Sequence, residues 1–364
     1  MGMDALGGDG GEFAVLAASE RAAMVRRIEA DGAFAADPGW TEAFAVVPRH
    51  LFVPYYYVSG PRGYERRWAG SPDPRSRERW LRGAYEDVPL ATRVRDGELL
   101  SSSSQPSLMA LMLAALRIGE GDRVLEIGAG TGYNAALLSY RLGEENVTTV
   151  DLDPEITESA RRHLAEAGHH PVVVTGDGAR GVPERAPFDR IIATCTLTTI
   201  PRAWTAQCRP GGLVLAPLAT GLVALTVHDA AHAEGRFLHT PAYFVPLRGG
   251  GRPEPEPVPL GGVPQRARES DLFRFLLTLT RGALDPQAAY ALWEREDRPG
   301  RERYGVTVGG EHVWAWLDAP DGPYAWALPE PLAPEPLAPE PVAAQGSDPG
   351  EGPDPGKGPN PGGP

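Results

Sequence analysis

Val124-Leu-Glu-Ile-Gly-Ala-Gly-Thr-Gly-Tyr-Asn-Ala-Ala-Leu-Leu-Ser139 is the stretch whose reading decides the fold. Its apolar start, 124–127, has the length and character of a strand buried in a parallel sheet. Glycines at 128, 130 and 132 follow, and then a helical pattern begins. Glycine allows a tight turn and close approach of a ligand to the backbone, and a helix N-terminus presents unpaired N–H groups. The arrangement predicts a nucleotide-type ligand. A dinucleotide fingerprint places its third glycine one residue later, where this chain has Tyr133. A second apolar run, 147–150, ends at Asp151, about 20 residues beyond the turn, where a ribose-binding carboxylate is expected.

Around this centre, strand and helix patterns alternate from 106 to about 215, which predicts an α/β fold with a doubly wound, mostly parallel sheet. Helices are expected over 13–34, 40–46, 106–116 and 154–167. A hairpin is expected from 221–227 with 236–245. Residues 1–12 read as a flexible N-terminus, 13–250 as the main domain, 251–264 as a linker and 265–328 as a small tryptophan-rich accessory module. Residues 329–364 are proline, glycine and acid, a composition that predicts disorder. Within the main domain, 58–83 is a basic island with seven arginines against three acids, interleaved by Tyr64, Trp68 and Trp80.

The chain carries a net charge of −13, which argues against a nucleic-acid partner. No apolar run is long enough for a membrane span, and the first residues lack the basic-then-apolar order of a signal peptide. Cys195 and Cys208 have neither metal-ligand nor redox spacing, so no metal is expected and a reducing cytoplasm is.

The turn Gly-x-Gly-x-Gly after Val-Leu-Glu-Ile resembles the first motif of S-adenosylmethionine-dependent methyltransferases. Seven further stretches, in order, resemble the protein-L-isoaspartate O-methyltransferase family: Val47-Pro-Arg-x-x-Phe-Val-Pro54, Ala84-Tyr-x-Asp-x-Pro-Leu90, Ser104-Gln-Pro106, Gly176-Asp-Gly178, Ala186-Pro-Phe-Asp189, Arg209-Pro-Gly-Gly212 and Phe244-Val-Pro-Leu247. The resemblance implies a Rossmann-like methyltransferase sheet with S-adenosyl-L-methionine as cofactor. It also implies methyl transfer to an aspartyl-type carboxylate in a peptide or protein. Carried over by position, Glu126, Gly128, Gly130, Asp151 and Asp177 would line the cofactor pocket, with Asp151 on the ribose and Asp177 beside the adenine. Ser104 would meet the acceptor carboxylate, flanked by Ser103 and Gln105 on the substrate side. From the residues alone, Ser104 also reads as a helix N-cap.

The chain departs from the family pattern at the basic island, at Thr194-Cys-Thr196 and in everything beyond Leu247. Such additions resemble the branch associated with maturation of ribosomally made peptides, where an ordinary aspartate is esterified and collapses to a succinimide (aspartimide). On this basis the favoured expectation is a peptide aspartyl O-methyltransferase whose Arg66 and Arg67 hold an acidic peptide. Repair of isoaspartyl residues in damaged proteins is the alternative. A methyltransferase acting on a small molecule and a non-catalytic cofactor-binding scaffold are the rival classes.

Overall fold

The computed structural model describes residues 9–60, 63–95, 98–249 and 259–329. The expected disordered tail and most of the expected linker lie outside the described residues. So do residues 1–8 of the expected flexible N-terminus.

The chain opens with helices α1 (Asp9–Ala30), α2 (Gly39–Val46) and α3 (Arg49–Phe52). The hairpin β1 (Tyr55–Gly60) and β2 (Gly63–Trp68) follows, then α4 (Pro74–Ala84). A second hairpin, β3 (Leu90–Arg95) and β4 (Glu98–Ser103), completes a small sheet in the order β2-β1-β3-β4. The described part of the basic island is therefore the end of β1, β2 and α4. Asp73 accepts from the Arg75 and Ser76 N–H groups at 3.3 and 3.1 Å and starts α4, with Pro74 in its first turn. Trp80, one of the aromatic residues that interleave the island, is buried, and its indole donates to the Val53 carbonyl at 2.9 Å.

The main sheet begins after α5 (Pro106–Ala115). It comprises β5 (Val124–Ile127), α6 (Tyr133–Leu142), β6 (Val147–Asp151), α7 (Pro154–Glu166), β7 (Val172–Thr175), β8 (Phe188–Ala193), α8 (Arg202–Gln207) and β9 (Cys208–Leu218). Five strands run parallel in the order β9-β8-β5-β6-β7. Alternate side chains feed two cores. Val124 and Ile192 join the helices α1, α2, α5 and α6 on one face, while Leu125, Ile127 and Ile191 face the other.

Antiparallel β10 (Gly221–Asp229) and β11 (His232–Pro241) extend the sheet. The hairpin tip is tighter than expected. Asp229 accepts from the Ala231 N–H at 2.8 Å and pairs with His232, and after a register shift Val227 pairs with Ala233. Gly235 allows that close pairing, since a Cβ there would lie 1.8 Å from the Ala224 carbonyl oxygen. The expected accessory module adds to this same sheet. After α9 (Gln265–Arg268), α10 (Asp271–Leu279) and α11 (Pro286–Arg295), β12 (Tyr304–Gly309) pairs with β11. β13 (His312–Leu317) and β14 (Ala325–Ala327) complete the order. Phe273, Phe275 and Trp293 pack into the core shared with the parallel half.

Arg301 fastens this junction. It is buried, lies 5.1 Å over the Phe275 ring, pairs with Asp271 and donates to the Thr220 carbonyl at 3.1 Å. Replacing Arg301 with Met is expected to lower unfolding free energy by about 2–4 kcal/mol through lost hydrogen bonds and misfit packing. Urea titration checks it, and a loss within error would show that the apolar contacts alone hold the junction.

Candidate active site

A cleft of about 790 Å³, counting its open mouth, lies at the carboxyl ends of β5, β6 and β8. In an open α/β sheet this edge is where ligands bind. The turn from β5 to α6 forms its floor, β4 and the following Ser104 one wall, and 245–248 the other. The turn is built from left-handed backbone: φ is +99° at Gly128, +51° at Gly130 and +87° at Gly132. A Cβ at Gly128 would lie 2.8 Å from the Thr194 hydroxyl oxygen. That hydroxyl donates to the Gly128 and Ile127 carbonyls at 2.8 and 3.2 Å. Thr194 thus supports the turn. Thr196 instead pairs with the opposite wall: its N–H donates to the Val245 carbonyl at 2.8 Å, and its carbonyl accepts from the Leu247 N–H at 2.9 Å.

Two expected cofactor residues hold carboxylates at this floor. Asp151, at the end of β6, accepts from the Gly130 N–H at 3.3 Å and the Asp153 N–H at 3.2 Å. Arg248 also donates to it at 3.1 Å and lies 3.7 Å from Asp153, a pairing the sequence reading missed. The only sequence signal was its position directly after Phe-Val-Pro-Leu. Glu126 lines the cleft but is almost wholly buried. Its two oxygens accept from the Asn134 amide at 2.8 Å and the Thr149 hydroxyl at 2.7 Å. Burial pushes its pKa up to about 7, against the lowering effect of those two donors. Asp177 is not in the cleft lining. It accepts from the Ala179 N–H at 2.9 Å, and a Cβ on Gly249 would lie 2.8 Å from its carboxylate, so the chain passes close over it.

Ser103 and Ser104 both line the cleft. Helix α5 has no side-chain cap from Ser104, which corrects the cap reading. Asp87 does that work from 20 residues away, accepting from the Ser107 N–H at 2.8 Å. Gln105 donates to Asp87 and to the Ser107 hydroxyl, both at 3.0 Å, and stays outside the cleft lining. Behind the serines sits Arg49, fully buried. It donates to the carbonyls of Ala84, Glu86, Val88 and Ser104 and to the Ser103 hydroxyl oxygen. Arg66 and Arg67 stand on β2, away from the cleft lining. Arg66 lies 4.5 Å over the Tyr55 ring and 5.4 Å over Trp68, and Trp68 and Tyr64 are exposed. Among the described residues, no group of three or more His, Cys, Asp or Glu is placed to hold a metal, and no helix is long and apolar enough to cross a membrane.

The family model described as protein-L-isoaspartate(D-aspartate) O-methyltransferase matches residues 75–250. A protein-L-isoaspartate O-methyltransferase of Thermotoga maritima is 45% identical over 136 residues, a match spanning 37% of this chain and 43% of that protein. Protein-L-isoaspartate O-methyltransferase 1 of an Anaeromyxobacter species is 37% identical over 220 residues, 58% of this chain and 89% of its own. A solved structure titled protein-L-isoaspartate O-methyltransferase superposes with a TM-score of 0.55 at 25% identity, covering 84% of this chain and 98% of that one. Residues 1–250 alone could not supply that coverage, so the likeness continues into the C-terminal strands.

Glu126 gives the floor a pH dependence. Its folded pKa, about 7, is above the ordinary carboxylate value of 4.5. The folded state therefore binds the proton more tightly, and the contribution to stability is present below pH 4.5 and lost as pH rises through about 7. Glu126→Gln removes that loss. The melting temperature of the variant relative to the parent is expected to climb by several degrees between about pH 5 and pH 8. A constant gap across thermal melts would mean that Glu126 is ionised throughout.

Proposed function

The chain belongs to the protein-L-isoaspartate O-methyltransferase family, and we propose that it methylates the free carboxylate of an isoaspartyl residue in a peptide or protein. It is an S-adenosylmethionine-dependent carboxyl O-methyltransferase. The observation that carries the substrate reading is one cleft holding both Asp151, beside the Gly130 N–H, and the serine wall ending at Ser104. The residues fit the cofactor: a glycine turn open to a ligand, with a carboxylate at the end of the next strand to receive ribose hydroxyls. Arg248 now bonds one Asp151 oxygen, so the ribose would share or replace that contact.

S-adenosylmethionine, when bound, supplies an electrophilic methyl carbon, and transfer forms a carboxylate O–CH₃ bond as the C–S bond breaks with its electron pair to sulfur. An aspartyl-type carboxylate is already ionised at neutral pH, so the protein need not remove a proton. The protein's task is alignment, which can be worth about 7–11 kcal/mol of barrier. Ser104 stands on the wall facing the turn and would orient the carboxylate by one hydrogen bond. One bond orients the oxygen without spreading its charge over several donors. The tertiary structure serves this by fixing Ser104 from behind, through the Arg49 contact to its carbonyl at 3.0 Å.

A second reading keeps the same chemistry with an unmodified aspartate in a constrained, ribosomally made peptide. What favours it is the exposed aromatic and arginine face of β1 and β2, where Arg66 lies between Tyr55 and Trp68. The C-terminal strands no longer favour it, since the likeness to a solved isoaspartyl methyltransferase extends into them. Thr194 and Thr196 do not favour it either, since they hold the turn and the 245–248 wall.

Purified protein with labelled cofactor, offered an isoaspartyl peptide, its normal aspartyl twin and a macrocyclic aspartyl peptide, is expected to label the isoaspartyl peptide. Labelling of the macrocycle alone, followed by loss of methanol, would establish the second reading. Asp151→Asn is expected to weaken S-adenosylmethionine binding by about 2–4 kcal/mol, since two hydrogen bonds to a charged group are weakened. Calorimetry reads this directly, and unchanged affinity would take Asp151 out of the cofactor site.

A further inference from the structure

Arg49 is a buried cation whose acceptors are all neutral. They are four carbonyls, at 2.8 Å for Ala84, 3.1 Å for Glu86, 3.3 Å for Val88 and 3.0 Å for Ser104, and the Ser103 hydroxyl oxygen at 3.3 Å. Burial lowers its pKa to about 10, which leaves it charged at neutral pH. A buried charge is costly unless opposite charge meets it, and the charge of Asp87 offsets only part of the cost of burial here. A carboxylate arriving in the cleft on the far side of the serine wall would add to that offset.

Two hydroxyl-bearing residues of the cleft lining lie within the influence of Arg49. Ser103 accepts from Arg49, so its single O–H is left to donate, and accepting from a cation makes it a stronger donor. Tyr133 also lines the cleft, and its hydroxyl is buried without a partner among the described residues. The Phe44 and Phe52 rings hold it, with centroids at 6.1 and 5.5 Å. Burial raises the Tyr133 pKa well above its ordinary value, and Arg49 is the largest opposing influence on it. Tyr133 is thus a neutral, buried donor to which the described residues offer no acceptor.

We propose that Ser103 and Tyr133 form a hydroxyl pair that receives a carboxylate in the cleft, with Arg49 as the positioning residue behind them. The ligand chemistry is a carboxylate from either of two sources: the amino-acid end of the cofactor or the acceptor itself. This rests on the function proposed above for what enters the cleft. It goes beyond that reading in assigning Tyr133 and Arg49 to it.

The test uses the full chain and the variants Tyr133→Phe and Ser103→Ala, with Arg49→Lys and Arg49→Met beside them. Calorimetry compares S-adenosylhomocysteine with methylthioadenosine, which lacks the amino-acid end. Steady-state kinetics gives KM and kcat for the isoaspartyl peptide. If the cofactor's carboxylate docks there, Tyr133→Phe lowers S-adenosylhomocysteine affinity about tenfold and leaves methylthioadenosine unchanged. If the acceptor docks there, peptide KM rises about tenfold while both affinities hold. Arg49→Lys, which keeps the charge, should recover part of what Arg49→Met loses. Should Arg49→Met fail to fold, the two hydroxyl variants carry the test alone. Unchanged affinity ratio and unchanged KM in both hydroxyl variants would overturn the proposal. A parent protein that binds S-adenosylhomocysteine but methylates no isoaspartyl peptide would remove the substrate reading instead. The affinity ratio then decides this inference, and an unchanged ratio overturns it.

Discussion

Between β5 and α6 the backbone enters the left-handed region at 128, 130 and 132, and the remaining parts of the site are arranged around that turn. Residues with a Cβ rarely adopt such angles, and at Gly128 a Cβ would also meet Thr194. The conformation leaves the Gly130 N–H for Asp151 and the Gly128 and Ala129 N–H groups for the Val150 carbonyl. β5, β6 and β8 are thereby tied together at their carboxyl ends, where the sheet opens. Gly132 also lies close to α7: a Cβ there would come within 3.2 Å of Leu164 and 3.3 Å of the Ala160 carbonyl. The same glycines shape the ligand site and the packing of helix on helix.

Charges of both signs surround the cleft. Acids lie at the floor, with Glu126 buried under it and Asp151 at its edge. A cation lies behind the serine wall, in Arg49. The clasp of Arg248 on Asp151 and Asp153 closes the other wall, and Arg93 reaches Asp153 from β3 and pairs with Glu155.

Beyond the parallel half, the sheet continues through five antiparallel strands to β14. β11 would otherwise be an open edge, and exposed strand edges invite unwanted pairing. β12 covers it, and the helices between β11 and β12 pack on the same core as α8. The additions are thus part of the sheet's own completion. They bear less on substrate choice than their tryptophan content suggests, because Trp293, Trp316 and Trp326 are buried.

The sequence by itself determined the parallel sheet, the glycine turn and the carboxylate at Asp151. These depend on neighbours a few residues apart, where apolar runs, glycine spacing and strand ends are read directly. It also marked Ser103 and Ser104 for the wall, through the run ahead of Gln105-Pro106. It did not determine what fixes that wall. The cap of α5 comes from Asp87, the cation from Arg49, and the partner of Asp151 from Arg248, at separations of 20, 54 and 97 residues. A polar side chain does not announce which distant group will satisfy it, because every exposed donor could equally be satisfied by water. Only burial removes that alternative. Tertiary structure therefore decided that Trp80 is core, that Gln105 is tied to Asp87, and that the hydroxyl of Tyr133, a residue of the cleft lining, is buried without a partner among the described residues.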